Sequence, residues 1–270
     1  VKRIHQTSGN IIINGLWKDF PFDAQQGEFT VNAHLYDVDL SFAKSWPLAT
    51  HVDANLKSNG RHMEVMIDKA ILGDLPVSQL HLNFPQLGLG KEVILVHGVI
   101  QDKVSKMMQY LMKSPLRHKA KNWMIYDFQG NGILDLKLDI PLSKERDEVF
   151  VDGQLKISEQ PLDLKIFTHP LRIENCQGQL HFNGNGLYAG TLKGRVGGDL
   201  FTMDVKNHPV EQDTELFIYG VMGLDVLKKA WGMESSNLIS GHIPVEGRIR
   251  LPYEKGKNWE MDWTSHLKGV

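Results

Sequence analysis

The sequence predicts a mainly β protein built from antiparallel strands, with two short amphipathic helices. Three observations predict it. Apolar and polar residues alternate over much of the chain, glycine-rich turns separate the alternating runs, and two segments carry helical spacing instead. The order of these features also recurs along the chain, which predicts an elongated array of repeats.

The alternation is clearest in "GEFTVNAHLYDVDLSF" (27–42), where Phe29, Val31 and Leu35 share one face of a strand. The phase slips by one residue at Tyr36–Asp37, after which later apolar residues continue the alternation. A slip of this kind predicts a β-bulge, which bends the strand.

The same period of two recurs downstream, between turn signals such as "SNG" (58–60), "QGNG" (129–132) and "NGNG" (183–186). Regular short strands separated by such turns predict a largely antiparallel sheet. The apolar phase of these runs consists of Leu134, Leu136, Leu138, Ile140, Leu155, Ile157, Leu162, Leu164, Ile166, Phe201, Met203, Val205, Ile243, Val245, Ile249 and Leu251.

Two segments, 102–115 and 223–233, predict helices. The first places Val104, Met107, Met108 and Leu111 at the i, i+3, i+4, i+7 spacing of a helix face, and "SP" ends it. The second repeats this spacing and offers Gly232 as a C-terminal cap.

Both helices close a similar series of features, which predicts an internal repeat. "NG" at 59–60 precedes "GDL" at 73–75, and "NG" at 185–186 precedes "GDL" at 198–200. We therefore predict one array over 1–270, with repeat A at about 27–126, repeat B at about 130–240 and the start of repeat C at 241–270.

The composition argues against several classes of function. The chain has 270 residues and a formal net charge of −2, so no basic field attracts nucleic acid. No run approaches the roughly 20 apolar residues of a membrane-spanning helix. The chain begins without Met and ends in a strand-like run, so we expect it to be a piece of a longer protein, for which missing targeting signals say little.

The sequence predicts no catalytic centre, no metal site and no cofactor. Its twelve histidines show neither HExxH nor HxH spacing, and the single Cys176 predicts a small half-buried strand residue rather than a nucleophile. Paired carboxylates, such as Asp37 with Asp39 and Asp135 with Asp139, are expected on a solvated strand face. We therefore expect a non-enzymatic protein.

The rows of apolar strand residues must be shielded from water, and two short helices can cover only a small part of them. A closed sandwich, which the sequence alone favours, a barrel and an open trough filled by an apolar ligand all satisfy this need. The repeat favours the trough, because an array can continue one apolar channel through successive units.

The ordered motifs of residues 15–65 resemble a known family. They are G-x-W-x-x-F-P at Gly15–Pro21, then G-x-F, a strand, "WP" and "NG". Further motifs, "SPL" (114–116), "DIPL" (139–142) and "GQLHFNGNGLYAGTLKGRVGG" (178–198), extend the match over most of the chain. This series resembles the AsmA-like superfamily, specifically its YhdP-type envelope proteins.

The resemblance implies a strongly curved sheet with an open groove, of the curled "β-taco" type. It implies the periplasmic segment of a bridge that is anchored in the inner membrane of a Gram-negative bacterium and carries phospholipid to the outer membrane. It offers no catalytic residue. Contact with the acyl chains is implied for the apolar strand residues Phe29, Val31, Leu35, Leu134, Leu136, Leu138, Leu162, Leu164 and Ile166.

Several alternatives remain open. The helix with Val104, Met107, Met108 and Leu111 is a soft lid over the groove or an ordinary helix that closes a core. The chain as a whole is a lipid-conducting segment or a structural module that assists outer-membrane biogenesis without binding lipid. An envelope hydrolase ranks behind both, because it needs a polar pocket with convergent catalytic groups.

Overall fold

The computed structural model describes residues 6–23, 26–41, 45–117, 125–142, 148–208, 213–233, 240–252 and 259–265. These residues form one antiparallel sheet of 15 strands that does not close on itself, together with two α-helices. The predicted fold class, mainly β with two helices, is thereby confirmed. The strands and helices are β1 Gln6–Asn14, β2 Glu28–Leu40, β3 Ala49–Asn59, β4 His62–Leu72, β5 Leu75–Phe84, β6 Val93–Lys103, α1 Val104–Met112, β7 Tyr126–Phe128, β8 Asn131–Pro141, β9 Phe150–Leu164, β10 Leu171–Asn183, β11 Leu187–Val196, β12 Asp199–His208, β13 Asp213–Gly223, α2 Leu224–Trp231, β14 His242–Pro252 and β15 Glu260–Thr264.

The strands follow one another in the sheet in chain order, from β1 to β15. The exception is the three-residue strand β7, which lies off this path and pairs with the end of β9, so that Tyr126 stands opposite Leu164 and Phe128 opposite Leu162. Hairpin connection of neighbouring strands is what the regular turn signals of the sequence predict.

The predicted bulge in β2 is present. The β2–β3 register shifts between the pairs Leu35–Ala54 and Val38–Val52, and Asp37 adopts a left-handed φ of 50°. Because Val52 and Ala54 are two residues apart and share a face, Leu35 and Val38 share that face although they are three residues apart. The bulge therefore keeps the apolar phase of β2 on one side of the sheet.

The two helices end as the sequence predicts. Gly232 follows α2 with a φ of 70°, and its N–H donates to the carbonyl oxygen of Lys229 at 3.0 Å. After α1, the Ser114 hydroxyl donates to the carbonyl oxygen of Leu111 at 2.8 Å and accepts from the N–H of Leu116 at 3.1 Å. The first helix thus stops at the predicted "SP".

The chain divides into two compact units, each with its own core. Unit 1 comprises residues 1–102, 109–116 and 135–152, and unit 2 comprises 103–108, 117–134 and 153–270. The core of unit 1 contains the fully buried side chains of Val38, Val52 and Ala54, and the core of unit 2 contains those of Ile173 and Leu192. The repeat boundaries at 27–126, 130–240 and 241–270 stay a prediction.

Candidate functional site

Three of the predicted lipid-facing residues lie together on one face of β2 in unit 1. Phe29, Val31 and Leu35 are all half-buried. In the neighbouring edge strand β1, Ile13 stands opposite Phe29 and Ile11 stands opposite Val31. Ile11 is 66% exposed and Ile13 is 47% exposed, so this face offers apolar surface to solvent. We call the surface formed by Ile11, Ile13, Phe29 and Val31 the apolar strip.

Aromatic side chains extend the apolar strip at one end. The Phe20 ring lies 5.0 Å from the Phe29 ring and 5.8 Å from that of Trp17, measured between centroids, and Trp17 is 77% exposed. Trp17 and Phe20 belong to the G-x-W-x-x-F-P motif of the sequence. The exposed Trp17 is thus connected through Phe20 and Phe29 to the exposed Ile13, and a contiguous apolar surface of this kind marks a binding face.

Two glycines make room for the ring of Phe22, which directly follows this motif. Phe22 is buried, and a Cβ atom on Gly15 or Gly27 would lie 2.6 Å or 2.4 Å from the nearest Phe22 ring carbon, closer than real contacts allow. Gly15 also has a φ of 137°, which other residues rarely adopt. Gly15 and Gly27 therefore allow Phe22 to anchor the segment before β2.

The side chains of this apolar face become buried toward the middle of unit 1. Leu35 pairs with Ala54 of β3, which pairs with Ile67 of β4, which in turn pairs with Leu80 of β5. Ala54, Ile67 and Leu80 are all buried. The exposed part of this face is thus confined to β1, β2 and the aromatic segment between them.

In unit 2 the predicted lipid-facing residues of β9 are sealed. Leu162 and Leu164 are 0% exposed, and Ile166 is buried beyond the strand end. The rings of Tyr126 and Phe128 in β7 lie on the same face, stacked with a centroid distance of 6.2 Å. Burial raises the pKa of the Tyr126 hydroxyl, which keeps that group neutral. These leucines lie in a closed core in this structure.

The three candidates in β8 differ in burial. Leu134, which belongs to unit 2, and Leu138, which belongs to unit 1, are buried, whereas Leu136 of unit 1 is half-buried. The nine candidates therefore fall into two groups. Phe29, Val31 and Leu35 on β2 and Leu136 on β8 are half-buried, whereas Leu134, Leu138, Leu162, Leu164 and Ile166 are buried.

The predicted lid helix buries one side. Val104 and Met107 of α1 are 3% exposed, while Met108 and Leu111 are half-buried. The Val104 N–H donates to the carbonyl oxygen of Gly130 at 3.0 Å, and its Cγ2 would lie 2.9 Å from a Cβ on Gly132. Glycine at position 132 thus lets the start of the helix pack closely on β8, and the lid role stays a prediction.

Trp263 of β15 is a functional candidate that the periodicity analysis missed. Its ring lies 5.7 Å from that of Trp231 in α2 and 5.9 Å from that of Phe167. The indole N–H of Trp263 is buried without a hydrogen-bond partner among the described residues. The three aromatic residues lie far apart in the sequence, so no local pattern predicts this cluster.

The described residues show no group of three or more potential metal ligands, and none of their helices has the length and hydropathy needed to cross a membrane. Cys176 is fully buried rather than half-buried as predicted, because β10 places it inside unit 2, and burial raises the pKa of its thiol to about 12. Asp135 pairs with His97 at 3.0 Å in a solvent-exposed position.

Comparison with known proteins agrees with the resemblance noted in the sequence. The chain is 22% identical over 268 residues to "Intermembrane phospholipid transporter YhdP" of Escherichia coli (strain K12). The aligned region covers 97% of this chain and 21% of the relative. It therefore spans about a fifth of that protein's length. No solved structure matches. The family described as "YhdP protein" matches residues 5–270, and the chain belongs to this family.

Proposed function

We propose that this chain is a periplasmic segment of a bridge-like transporter that carries phospholipid between the inner and outer membranes along an apolar groove. Membership of the YhdP family and similarity to a curated intermembrane phospholipid transporter support this function. The relative is a transporter rather than an enzyme. Anchorage to the inner membrane is proposed for a longer parent protein of a Gram-negative bacterium.

The observation that carries the proposal is the apolar strip of unit 1. Ile11, Ile13 and Trp17 expose apolar surface beside the half-buried Phe29 and Val31. Each acyl methylene removed from water contributes about 0.8 kcal/mol, so ten of them contribute about 8 kcal/mol. An apolar surface that shields part of each tail therefore lowers the cost of moving a phospholipid through water.

The lack of charge on this surface also fits a carrier. None of the residues of the apolar strip is charged, so its contacts with a lipid are dispersion and hydrophobic contacts that any acyl chain can make. Such a surface binds tails without fixing a headgroup, which lets a lipid move along it.

Photo-crosslinking tests this proposal with a matched pair of neighbouring positions. Ile11 and Ile12 are adjacent in β1, but Ile11 pairs with Val31 on the apolar face and Ile12 pairs with Thr30 on the polar face. A photoreactive amino acid at position 11 should yield phospholipid adducts by mass spectrometry after incubation with phospholipid vesicles, and the same group at position 12 should yield few. Equal labelling at both positions, or none at position 11, contradicts the proposal.

A structural module of the cell envelope that binds no lipid is the second candidate. The sealed core around Leu162 and Leu164 favours it, because these side chains offer no surface to an acyl chain. Under this alternative, affinity purification of the chain from envelope extracts recovers protein partners and position 11 gives no lipid adduct.

A further inference from the structure

The polar face of the first four strands contains a groove on the side of the sheet opposite the apolar strip. Two cavities of about 250 Å³ and about 470 Å³ lie there, and both are lined by Asn32 of β2 and Lys57 of β3. The register explains the lining, since Asn10, Asn32 and Lys57 form one row across three strands. We call this surface the amide groove and define it by Asn10, Asn32, His34, Asn55, Lys57 and Asn59.

Three amides of the groove have their hydrogen-bonding capacity available. The side chains of Asn10, Asn32 and Asn59 are exposed and bond to no other described side chain or backbone group. Each carboxamide offers two N–H donors and one carbonyl acceptor. Together they supply both donors and acceptors to the groove.

A fourth amide is fixed and sets the tautomer of a histidine. The Asn55 amide nitrogen donates to the Asp68 carboxylate at 2.9 Å, so the Asn55 carbonyl oxygen faces His34 Nδ1 at 2.6 Å. Because a carbonyl only accepts, His34 Nδ1 carries the proton. In the neutral ring Nε2 is therefore an acceptor, which adds a further acceptor to the groove.

The charges at the groove do not favour an anion. The larger cavity is lined by Lys57 together with Glu28 and Glu64, so carboxylates outnumber the ammonium group. A phosphate or a lipid headgroup with net negative charge needs a surplus of cationic donors, which the groove lacks. The ligand that fits this balance is neutral and rich in hydrogen-bonding groups.

An aromatic platform stands beside the amides. The Tyr36 ring packs against the His34 ring in a tilted arrangement, with a centroid distance of 3.9 Å and an interplanar angle of 36°, and Tyr36 is 40% exposed. A pyranose sugar has hydroxyl groups that donate and accept at its rim and an apolar C–H face that packs on aromatic rings. Amides with a nearby exposed ring are therefore complementary to a sugar.

We propose that the amide groove binds a neutral oligosaccharide. Asn10 and Asn32 bond hydroxyl groups of the sugar, His34 Nε2 accepts from another hydroxyl, and the Tyr36 ring packs on a C–H face. Because side chains alternate along each strand, this site and the apolar strip lie on opposite faces of the same strands. A saccharide and a lipid therefore bind without competing for the same side chains.

Saturation-transfer NMR and calorimetry on the 270-residue chain test this site, with chitotetraose, maltotetraose and cellotetraose as probes. We expect millimolar or tighter binding of at least one of them. Asn10→Ala and Asn32→Ala should each weaken it by about fivefold, the loss expected for one to two hydrogen bonds. Gln177→Ala removes an exposed amide on β10, outside the groove, and should leave the affinity unchanged.

Three results overturn the proposal. They are an absence of binding by the folded chain to all three probes, an equal loss of affinity in the Asn32→Ala and Gln177→Ala variants, and displacement of the bound sugar by inorganic phosphate. Circular dichroism of each variant shows that the fold is retained. Since the amides substituted have no hydrogen-bond partner among the described residues, loss of folding is not expected to obscure the result.

Discussion

The adjacent isoleucines of β1 allow the lipid-binding proposal to be tested by a single pair of substitutions. Ile11→Ala removes apolar surface from the apolar strip, and Ile12→Ala removes the same atoms from the polar face. Both side chains are largely exposed, at 66% and 43%, so neither change should unfold the chain. Any difference in lipid binding between the two variants then reports which face meets the acyl chains.

The size of the effect follows from the exposure of Ile11. The substitution removes three carbon atoms, which are worth about 0.8 kcal/mol each when fully buried, or about 2.4 kcal/mol together. Because Ile11 is 66% exposed, a bound lipid can remove from water at most about two thirds of this surface, worth about 1.6 kcal/mol. That free energy corresponds to an affinity about 15-fold weaker.

Titration of each purified variant with a fluorescently labelled phospholipid, kept below the lipid's aggregation concentration, measures the dissociation constants whose ratio is predicted. We expect the dissociation constant to rise about 15-fold in Ile11→Ala and to stay within about twofold of the unsubstituted chain in Ile12→Ala. Equal dissociation constants in the two variants would refute the assignment of the apolar strip as the lipid-facing surface.

Three further predictions concern the fold. The pKa of Asp53 is lowered, first by the Asp37 N–H that donates to it and then by Lys69. The contribution of Asp53 to stability is therefore present above its ordinary pKa of about 4 and is lost as pH falls through the lower pKa of the folded state. Asp53→Asn should flatten the acid side of a profile of unfolding free energy against pH, measured by urea denaturation. Leu164→Ala should cost about 2–5 kcal/mol in the same assay, whereas Leu200→Ala, at a 68% exposed position, should stay within about 0.5 kcal/mol. Cys176, whose buried thiol has a pKa raised to about 12, should react with a thiol reagent at pH 8 only after denaturant is added, and rapid labelling of the native chain would contradict its placement.

The periodicity of the sequence was sufficient to predict several of the strands, the bulge at Tyr36–Asp37 and both helices, because each depends on the local environment of a few neighbouring residues. It could not separate accessible from sealed strand faces. Val31 and Leu164 carry the same period of two, but Val31 is half-buried whereas Leu164 is fully buried and lies beside the three-residue strand β7, which is too short to produce a periodic signal. Burial of a face depends on such distant partners.

The β1 part of the candidate site, Ile11 and Ile13, was missed for a related reason. β1 contains three consecutive isoleucines, Ile11, Ile12 and Ile13, so its sequence shows no alternation from which a face can be assigned. Only the pairing of Ile11 with Val31 and of Ile12 with Thr30 assigns them to opposite sides. The amide groove likewise becomes visible only when residues of separate strands are brought into one row.

The bulge at Asp37 decides which residues of β2 reach the apolar face, and its backbone can be tested directly. A valine there would have to adopt a φ of about 50°, which costs a β-branched residue about 1–2 kcal/mol, or the strand would have to straighten and turn the buried Val38 toward the polar face. Glycine adopts this φ freely, and Asp37→Gly loses the same contact with His51 at 2.7 Å as Asp37→Val. We therefore expect Asp37→Val to be less stable than Asp37→Gly by about 1–2 kcal/mol in urea denaturation. If the valine variant were as stable as the glycine variant, the left-handed bulge would not be what holds Leu35 and Val38 on one face.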